Sequence, residues 1–161
     1  MFKKVCIIGC GLIGSSLARA IKKNNLAQKI VSSNRSNVVN KKVIELNIVE
    51  DSSPDTKKMV IDSDLVVIAT PLSSYEEVII KIKDSLKNGS ILTDVGSVKE
   101  NVMNLVEKNL PENVSWIPSH PIAGTEESGP ESGFAELFQN RWCILTPSSK
   151  SKEKDINLLK T

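Results

Sequence analysis

The segment Gly-Cys-Gly-Leu-Ile-Gly at 9–14 constrains the fold most, because it joins an apolar run at 4–8 to a stretch with helical periodicity. A strand, a tight glycine turn and a helix in succession are the context that a dinucleotide phosphate-binding turn requires. The first glycine permits the turn, the second lets the backbone approach a pyrophosphate, and the third allows close helix–strand packing. The alternative is a glycine-rich turn that binds no ligand. We predict cofactor binding by Gly9, Gly11, Leu12, Ile13 and Gly14.

Strand and helix patterns alternate along the rest of the chain. Further strands are predicted at 29–33, 64–69, 90–93, 114–117 and 142–146, and helices at 38–46, 75–86 and 98–110, with a long loop at 118–141. The run 64–69 is nearly all apolar, which is typical of a strand buried on both faces of a parallel sheet. Alternating strands and helices indicate βαβ units. The predicted fold class is therefore α/β, a doubly wound, mostly parallel Rossmann sheet over residues 1–150.

A polar stretch at 147–152 separates this region from a helical pattern at 153–160 that has no stop signal before Thr161. We interpret 151–161 as the start of a linker and helix leading to a missing, helical C-terminal dimerisation domain. A frayed terminal helix is the alternative interpretation.

Composition excludes several classes of function. The 161 residues carry 21 basic and 19 acidic side chains spread along the chain, unlike the concentrated basic stripe of a nucleic-acid-binding protein. No apolar run approaches the roughly 20 residues that cross a bilayer. The three cysteines lack metal-site spacing, so we expect reduced thiols in a cytoplasmic protein and no metal site.

The choice of cofactor depends on the residues about 20 positions beyond the glycine turn, where an acidic side chain usually holds the adenosine ribose. Asn34, Arg35 and Ser36 occupy this position, and none is a carboxylate. A guanidinium can bind a 2′-phosphate bidentately, and the neighbouring polar side chains can donate hydrogen bonds. We therefore predict NADP(H) in preference to NAD(H). A solvated Arg35 without cofactor contact is the alternative.

Polar turns also follow two predicted strands farther along the chain. Ligands of open α/β sheets bind beyond the carboxyl ends of the strands, so these turns should line the cofactor cleft. Ser97 is ambiguous, because a serine before Val98 and Glu100 can simply cap a helix. The additional cofactor-binding residues that we predict are Thr70, Pro71, Leu72, Asp94 and Gly96.

His120 is the only histidine in the sequence and follows the predicted strand 114–117. A lone histidine is usually structural or merely exposed. At the carboxyl edge of a dinucleotide-binding sheet, beside a Gly-Thr-Glu turn, it is a better candidate for a general base.

Together these motifs resemble the prephenate and arogenate dehydrogenase family over essentially the whole chain. The shared segments are the glycine turn, Asp-Val-Gly-Ser-Val-Lys at 94–99, Ser-His-Pro-Ile-Ala-Gly-Thr-Glu at 119–126, Leu-Phe-Gln-Asn-Arg at 137–141 and Ile-Leu-Thr-Pro at 144–147. The segment around His120 is the most specific, since generic Rossmann domains lack it. The Asn34-Arg35 pair resembles the NADP-using members.

The resemblance implies a function and roles for particular residues. His120 would accept the proton of a ring hydroxyl, Ser97 would orient the histidine and the substrate, and Gly124, Thr125 and Glu126 would border the substrate pocket. The implied reaction is oxidative decarboxylation of prephenate or arogenate in tyrosine biosynthesis. The family also implies a homodimer formed by a C-terminal domain, which contributes an arginine to the substrate site.

Alternative interpretations remain at this point. Glu126 can equally be a surface carboxylate. Another hydroxyacid or imine oxidoreductase would share the glycine turn but would not need the 119–126 segment. A regulatory module that senses a dinucleotide would need neither His120 nor Ser97. The sequence does not distinguish prephenate from arogenate as the substrate.

Overall fold

The computed structural model describes residues 1–160, with the side chain of residue 101 left out of the description. The strands are β1 (Phe2–Ile8), β2 (Ala27–Ser33), β3 (Asp51–Ser52), β4 (Leu65–Ile68), β5 (Ile91–Asp94), β6 (Ser115–Ile117), β7 (Ser119–Pro121) and β8 (Cys143–Leu145). The α-helices are α1 (Leu12–Lys23), α2 (Asn37–Glu45), α3 (Thr56–Val60), α4 (Tyr75–Ile82), α5 (Glu100–Asn109) and α6 (Glu153–Leu159). Short 3-10 turns lie at 72–74, 83–85 and 135–138.

Six strands form one parallel sheet in the order β3-β2-β1-β4-β5-β6, and β7 pairs antiparallel with β8 in a separate ribbon. This arrangement confirms the predicted doubly wound, mostly parallel α/β fold. The strand order reverses between β1 and β4. In folds of this class a crevice opens beyond the carboxyl ends of the strands at such a switch point.

The two central strands, β1 and β4, are apolar over residues 5–8 and 65–68 because both faces of the sheet are covered there. In β4, Val66 and Ile68 pack on the side of α3, α4 and α5, whereas Leu65 and Val67 pack with residues of α1 and α2. Successive side chains of a strand point to opposite faces, so helices on both faces leave no position for a polar residue. Helices on both faces of the sheet bury residues 5–8 of β1 and all of β4, and fix the edge at which a site can form.

Several elements differ from the expectations. β3 and α3 were not predicted, and the predicted loop 118–141 contains β7 and the 3-10 turn at 135–138. The run 142–146 does contain a strand, β8, but it pairs only with β7. The predicted helix 98–110 begins at Glu100, after a turn.

The region after β8 packs against the sheet. The backbone N–H of Trp116 in β6 donates to Lys150 O at 3.3 Å, and that of Lys152 donates to Ser115 Oγ at 3.1 Å. Ile156 and Leu159 of α6 contact the core cluster on the α1 face. The helix predicted at 153–160 is therefore present over 153–159 and is anchored to the domain, while Thr161 lies outside the described residues.

The three cysteines form no disulfide with one another. Cys6, Cys10 and Cys143 are free thiols, of which Cys143 alone is exposed. Burial raises the pKa of Cys6 to about 12 and that of Cys10 to about 11, so both stay protonated near neutral pH.

In the described part of the chain, no helix combines the length and apolar character needed to span a membrane.

Candidate active site

The glycine turn joins β1 to α1 with the geometry that its residues require. Gly9 has a φ of +95°, and a Cβ there would lie 2.8 Å from Ala69 O, so a side chain is excluded. A Cβ at Gly14 would lie 2.0 Å from Gly9 O, which requires glycine for close packing of the helix on the turn. A Cβ at Gly11 would meet nothing within 4 Å. The open space at Gly11 is where a ligand can approach the backbone.

The N-terminus of α1 suits an anion. Gly11 is its N-cap, no side chain caps the helix, and its first turn contains no acidic residue. The free N–H groups and the partial positive charge of a helix N-terminus favour a bound phosphate. The helix therefore supplies an electrostatic reason for a pyrophosphate to lie at this turn.

A cavity of about 690 Å³ lies at the carboxyl ends of β1, β2 and β4, where the strand order reverses. Seven predicted cofactor-binding residues line it, namely Gly9, Gly11, Asn34, Arg35, Ser36, Thr70 and Pro71. Its lining does not include Leu12, Ile13, Gly14, Leu72, Asp94 or Gly96. Seven of the thirteen predicted cofactor-binding residues thus line one cleft, and the other six do not.

Sequence reasoning missed several other residues of the cavity wall, including some of α4 and some of the long loop. Glu77 and Lys81 of α4 line its outer side, and Gly129 and Pro130 line it from the long loop. A Gly-Pro dipeptide predicts a turn at 129–130, but nothing in the sequence indicates that this turn lies across the cavity from the glycine turn at 9–14.

The segment before the 3-10 turn at 135–138 packs directly on α1. The backbone N–H of Phe134 donates to Ser16 Oγ at 3.1 Å. A Cβ at Gly133 would lie 2.2 Å from Ser15 Oγ, so the loop backbone approaches the helix as closely as a glycine allows. The predicted long loop is therefore a packed cover beside the first turn of α1.

Asn34 fastens the glycine turn to the end of β2. It is 7% exposed, and its Oδ1 accepts a hydrogen bond from the backbone N–H of Cys10 at 2.6 Å. Its Nδ2 donates to Asn40 Oδ1 at 3.0 Å and lies 3.3 Å from the hydroxyls of Ser32 and Ser52. The amide that we expected to donate to a phosphate is already occupied within the protein, so in this structure Asn34 supports the turn.

Arg35 lies at the mouth of the cavity with its side chain 83% exposed. Its Nη2 is 3.4 Å from Glu77 Oε2, and that carboxylate is also largely exposed. Such a solvated ion pair contributes at most about 1 kcal/mol, so the guanidinium can readily exchange this partner for another anion.

Asp94, at the carboxyl end of β5, is fully buried and does not line the cavity. Lys99 Nζ lies 2.7 Å from its Oδ1 and 2.6 Å from its Oδ2, and the Tyr75 hydroxyl donates to Oδ2 at 3.1 Å. Backbone N–H groups of Gly96 and Ser119 also donate to it, each at 3.0 Å. Protein donors satisfy both oxygens of this carboxylate in the described structure, and its contact with a cofactor stays a prediction.

Ser97 and His120 both lie beyond the carboxyl edge of the sheet. Ser97 is exposed in the turn after β5, and it does not cap α5, because Lys99 is the N-cap residue. His120 is partly exposed on β7, which starts two residues after β6 ends. The helix-capping interpretation of Ser97 is therefore wrong, and its hydroxyl is available for another role.

The Gly-Thr-Glu turn follows β7, and its residues Gly124, Thr125 and Glu126 are all exposed. The Thr125 hydroxyl accepts a hydrogen bond from the backbone N–H of Glu127 at 3.1 Å. The turn is thus open to solvent, four residues after His120, and no described cavity encloses it.

Comparison with known proteins places most of the chain in one protein family. Residues 17–161 match the family model described as prephenate dehydrogenase, nucleotide-binding domain. This match starts after the glycine turn, so the turn is a separate observation.

Two curated relatives cover nearly all of the chain. The cyclohexadienyl dehydrogenase of Zymomonas mobilis is 38% identical over 156 residues, which are 97% of this chain and 53% of that protein. The prephenate dehydrogenase of Bacillus subtilis is 31% identical over 160 residues, which are 97% of this chain and 42% of that protein. The chain thus spans about half the length of the curated relatives that it matches.

Solved structures of the same kind superpose closely. Prephenate dehydrogenase from A. aeolicus, in complex with hydroxyphenyl propionate and NAD+, has a TM-score of 0.90 at 28% identity, with 99% of this chain and 56% of that chain covered. Synechocystis arogenate dehydrogenase has a TM-score of 0.89 at 25% identity, with 98% of this chain and 54% of that chain covered. The chain belongs to the family of prephenate dehydrogenase nucleotide-binding domains.

Proposed function

We propose that this chain is the dinucleotide-binding part of an enzyme that oxidatively decarboxylates prephenate or arogenate in tyrosine biosynthesis. The observation that carries the proposal is the position of His120, the single histidine, beyond the carboxyl edge of the sheet in a member of this family. The names of the relatives in the comparison support the choice of substrate class.

The cleft residues fit a nicotinamide dinucleotide. The open space at Gly11 and the uncapped N-terminus of α1 suit a pyrophosphate, and the cavity beyond β2 has room for an adenosine ribose. When bound, the nicotinamide supplies a hydride acceptor.

The residues of the chain then have three tasks. His120 accepts the proton of the hydroxyl on the reacting ring carbon. Ser97 orients that hydroxyl, and the Gly-Thr-Glu turn at 124–126 borders the ring.

In the overall reaction that carbon loses its hydrogen as hydride, and the ring carboxylate departs as carbon dioxide, leaving the electron pair of the broken C–C bond in the ring. The proton that His120 takes from the hydroxyl returns to the same oxygen, so the product is a phenol. Aromatisation of the ring provides the driving force, so these residues mainly need to position the substrate. Assembly as a homodimer remains a prediction from the family resemblance, and a cytoplasmic location remains a prediction from the cysteines.

Measuring the stoichiometry of the full-length gene product tests this reaction. We expect one reduced nicotinamide and one carbon dioxide for each prephenate or arogenate consumed. A hydroxyacid or imine oxidoreductase would reduce the cofactor without releasing carbon dioxide. Cofactor binding without turnover of either substrate would favour a sensing module and contradict the proposal.

For the cofactor, NADP(H) remains our preference over NAD(H), supported by the exposed guanidinium of Arg35 at the mouth of the cleft, whose solvated ion pair with Glu77 can exchange for a phosphate. Replacing Arg35 by alanine is expected to raise the Kd for NADP+ roughly 10- to 150-fold, because a hydrogen bond to a charged group contributes about 1.5–3 kcal/mol. The Kd for NAD+ should change less than about threefold. Titration of the protein with each cofactor, followed by calorimetry, measures both values.

Lys57→Ala is the matched control, because it removes one positive charge from an exposed position on α3 outside the cavity lining. It should leave both Kd values nearly unchanged. Equal weakening of NADP+ and NAD+ binding in Arg35→Ala would contradict a specific role in binding the 2′-phosphate.

A further inference from the structure

Asp94 connects the segments that carry the two proposed catalytic side chains. Its Oδ2 accepts the backbone N–H of Gly96, the residue before Ser97. Its Oδ1 accepts the backbone N–H of Ser119, the residue before His120. One buried carboxylate therefore ties down the backbone next to both functional residues.

The remaining contacts hold this carboxylate in place and keep it buried. Lys99 Nζ bridges its two oxygens with the lysine side chain only 14% exposed, and the Tyr75 hydroxyl connects it to α4. The Ser119 hydroxyl donates to the backbone carbonyl of Asp94 and lies 3.1 Å from Thr93 Oγ1. The end of β5 and the start of β7 are thus joined by both backbone and side-chain hydrogen bonds.

We propose that Asp94 is a positioning residue that sets the relative placement of Ser97 and His120. This inference rests on the proposed function for its consequence in catalysis. The geometry requires a carboxylate, because each of its oxygens faces a backbone N–H that cannot be reversed. An asparagine would have to direct its NH₂ group at one of these donors, so one of the two connections would be lost.

The proposal also explains why a buried ion pair is present at this edge. A buried pair is a weak source of net stability, since the desolvation of two charges offsets much of their attraction. Here the ammonium of Lys99 lies against both oxygens of a carboxylate that also accepts two backbone N–H groups. The pair therefore serves the geometry of the edge rather than the stability of the domain.

Asp94→Asn in the full-length enzyme tests the catalytic consequence. We expect kcat to fall at least about tenfold, because a displacement near 1 Å can cost a hundredfold in rate. KM for the substrate and Kd for the cofactor should each change less than about threefold. A loss of kcat no larger than that of the control described next would overturn the proposal.

Asp64→Asn is the matched control. Asp64 Oδ2 accepts the backbone N–H groups of Lys3 and Lys4, at 2.7 and 3.3 Å, and Oδ1 lies 2.5 Å from Lys87 Nζ. Like Asp94, Asp64 accepts two backbone N–H groups and contacts one lysine. It precedes β4, however, and so lies at the amino edge of the sheet, opposite to the edge where Ser97 and His120 lie. Asp64→Asn should therefore lower the Tm and leave kcat within about twofold.

A double variant keeps the test valid if Asp94→Asn does not fold. Asp94→Asn with Lys99→Gln removes both charges, so no unpaired ammonium is left buried, while one backbone connection remains broken. The loss of kcat should persist in this double variant. Recovery of kcat to the wild-type value would show that only the charge matters and would overturn the positioning role.

Nuclear magnetic resonance separates this inference from the proposed reaction. His120 is the only histidine of the 161 residues, so ¹⁵N-labelled histidine reports one imidazole when the 161-residue chain and its variants are measured. Its ring signals should shift in Asp94→Asn and stay in place in Asp64→Asn, whether or not the enzyme turns over prephenate. Unchanged signals in Asp94→Asn would overturn the inference, whereas an inactive wild-type enzyme would contradict only the proposed function.

Discussion

Replacing His120 by asparagine is expected to lower kcat of the full-length enzyme by about 10²–10⁴-fold, the usual contribution of a general base. Asparagine keeps a polar side chain of similar reach but cannot accept the hydroxyl proton. The Kd for the cofactor should not change, because His120 lies on β7 outside the lining of the cofactor cavity. Steady-state rates and a cofactor titration of the same preparation measure the two effects separately.

Ile144→Val is the control for this variant. Ile144 is the cross-strand partner of His120 in the β7–β8 ribbon, so its replacement perturbs the same position without removing a base. We expect its kcat to remain within about twofold of wild type. Normal turnover in His120→Asn would exclude the base role, and equal losses in both variants would point to damage of the ribbon instead.

Replacing Gly14 by alanine is expected to weaken cofactor binding and to destabilise the domain. The new Cβ would lie 2.0 Å from Gly9 O, so the helix or the turn must move. Overpacking of this kind costs about 1–3 kcal/mol, which corresponds to a rise in Kd of roughly 5- to 150-fold if the strain is relieved by displacing the turn. Calorimetric titration with NADP+ and thermal unfolding measure the two effects.

Gly11→Ala separates the two roles of the glycines. A Cβ there meets no protein atom within 4 Å, so the Tm should stay near that of the wild type. The methyl group would instead occupy the space through which the pyrophosphate approaches, and binding should weaken. Unchanged cofactor affinity in both variants would show that the dinucleotide does not bind at this turn.

The fold was predictable where local sequence determines the structure. The apolar runs in β1 and β4 and the glycine turn between β1 and α1 carry their own signals. β3 was missed because Asp51–Ser52 is a two-residue polar pair without a strand pattern of its own, and it becomes a strand by pairing with β2. β7 was missed because Ser-His-Pro shows no alternation, and its partner strand lies more than 20 residues away.

The candidate site was predictable in outline but not in its internal contacts. His120 and Ser97 stood out by position and by family resemblance. The burial of Asp94 did not, because its donors come from Tyr75, Lys99 and Ser119, which only the folded chain brings together. The internal contacts of Asn34 were not predictable for the same reason, since its amide is occupied by partners from the glycine turn and α2.

Initial rates of the full-length gene product, with prephenate and arogenate each tested against NAD+ and NADP+, test the central claim most directly. We expect turnover of at least one substrate, with NADP+ as the better cofactor. A folded protein that binds NADP+ but turns over neither substrate would contradict the account.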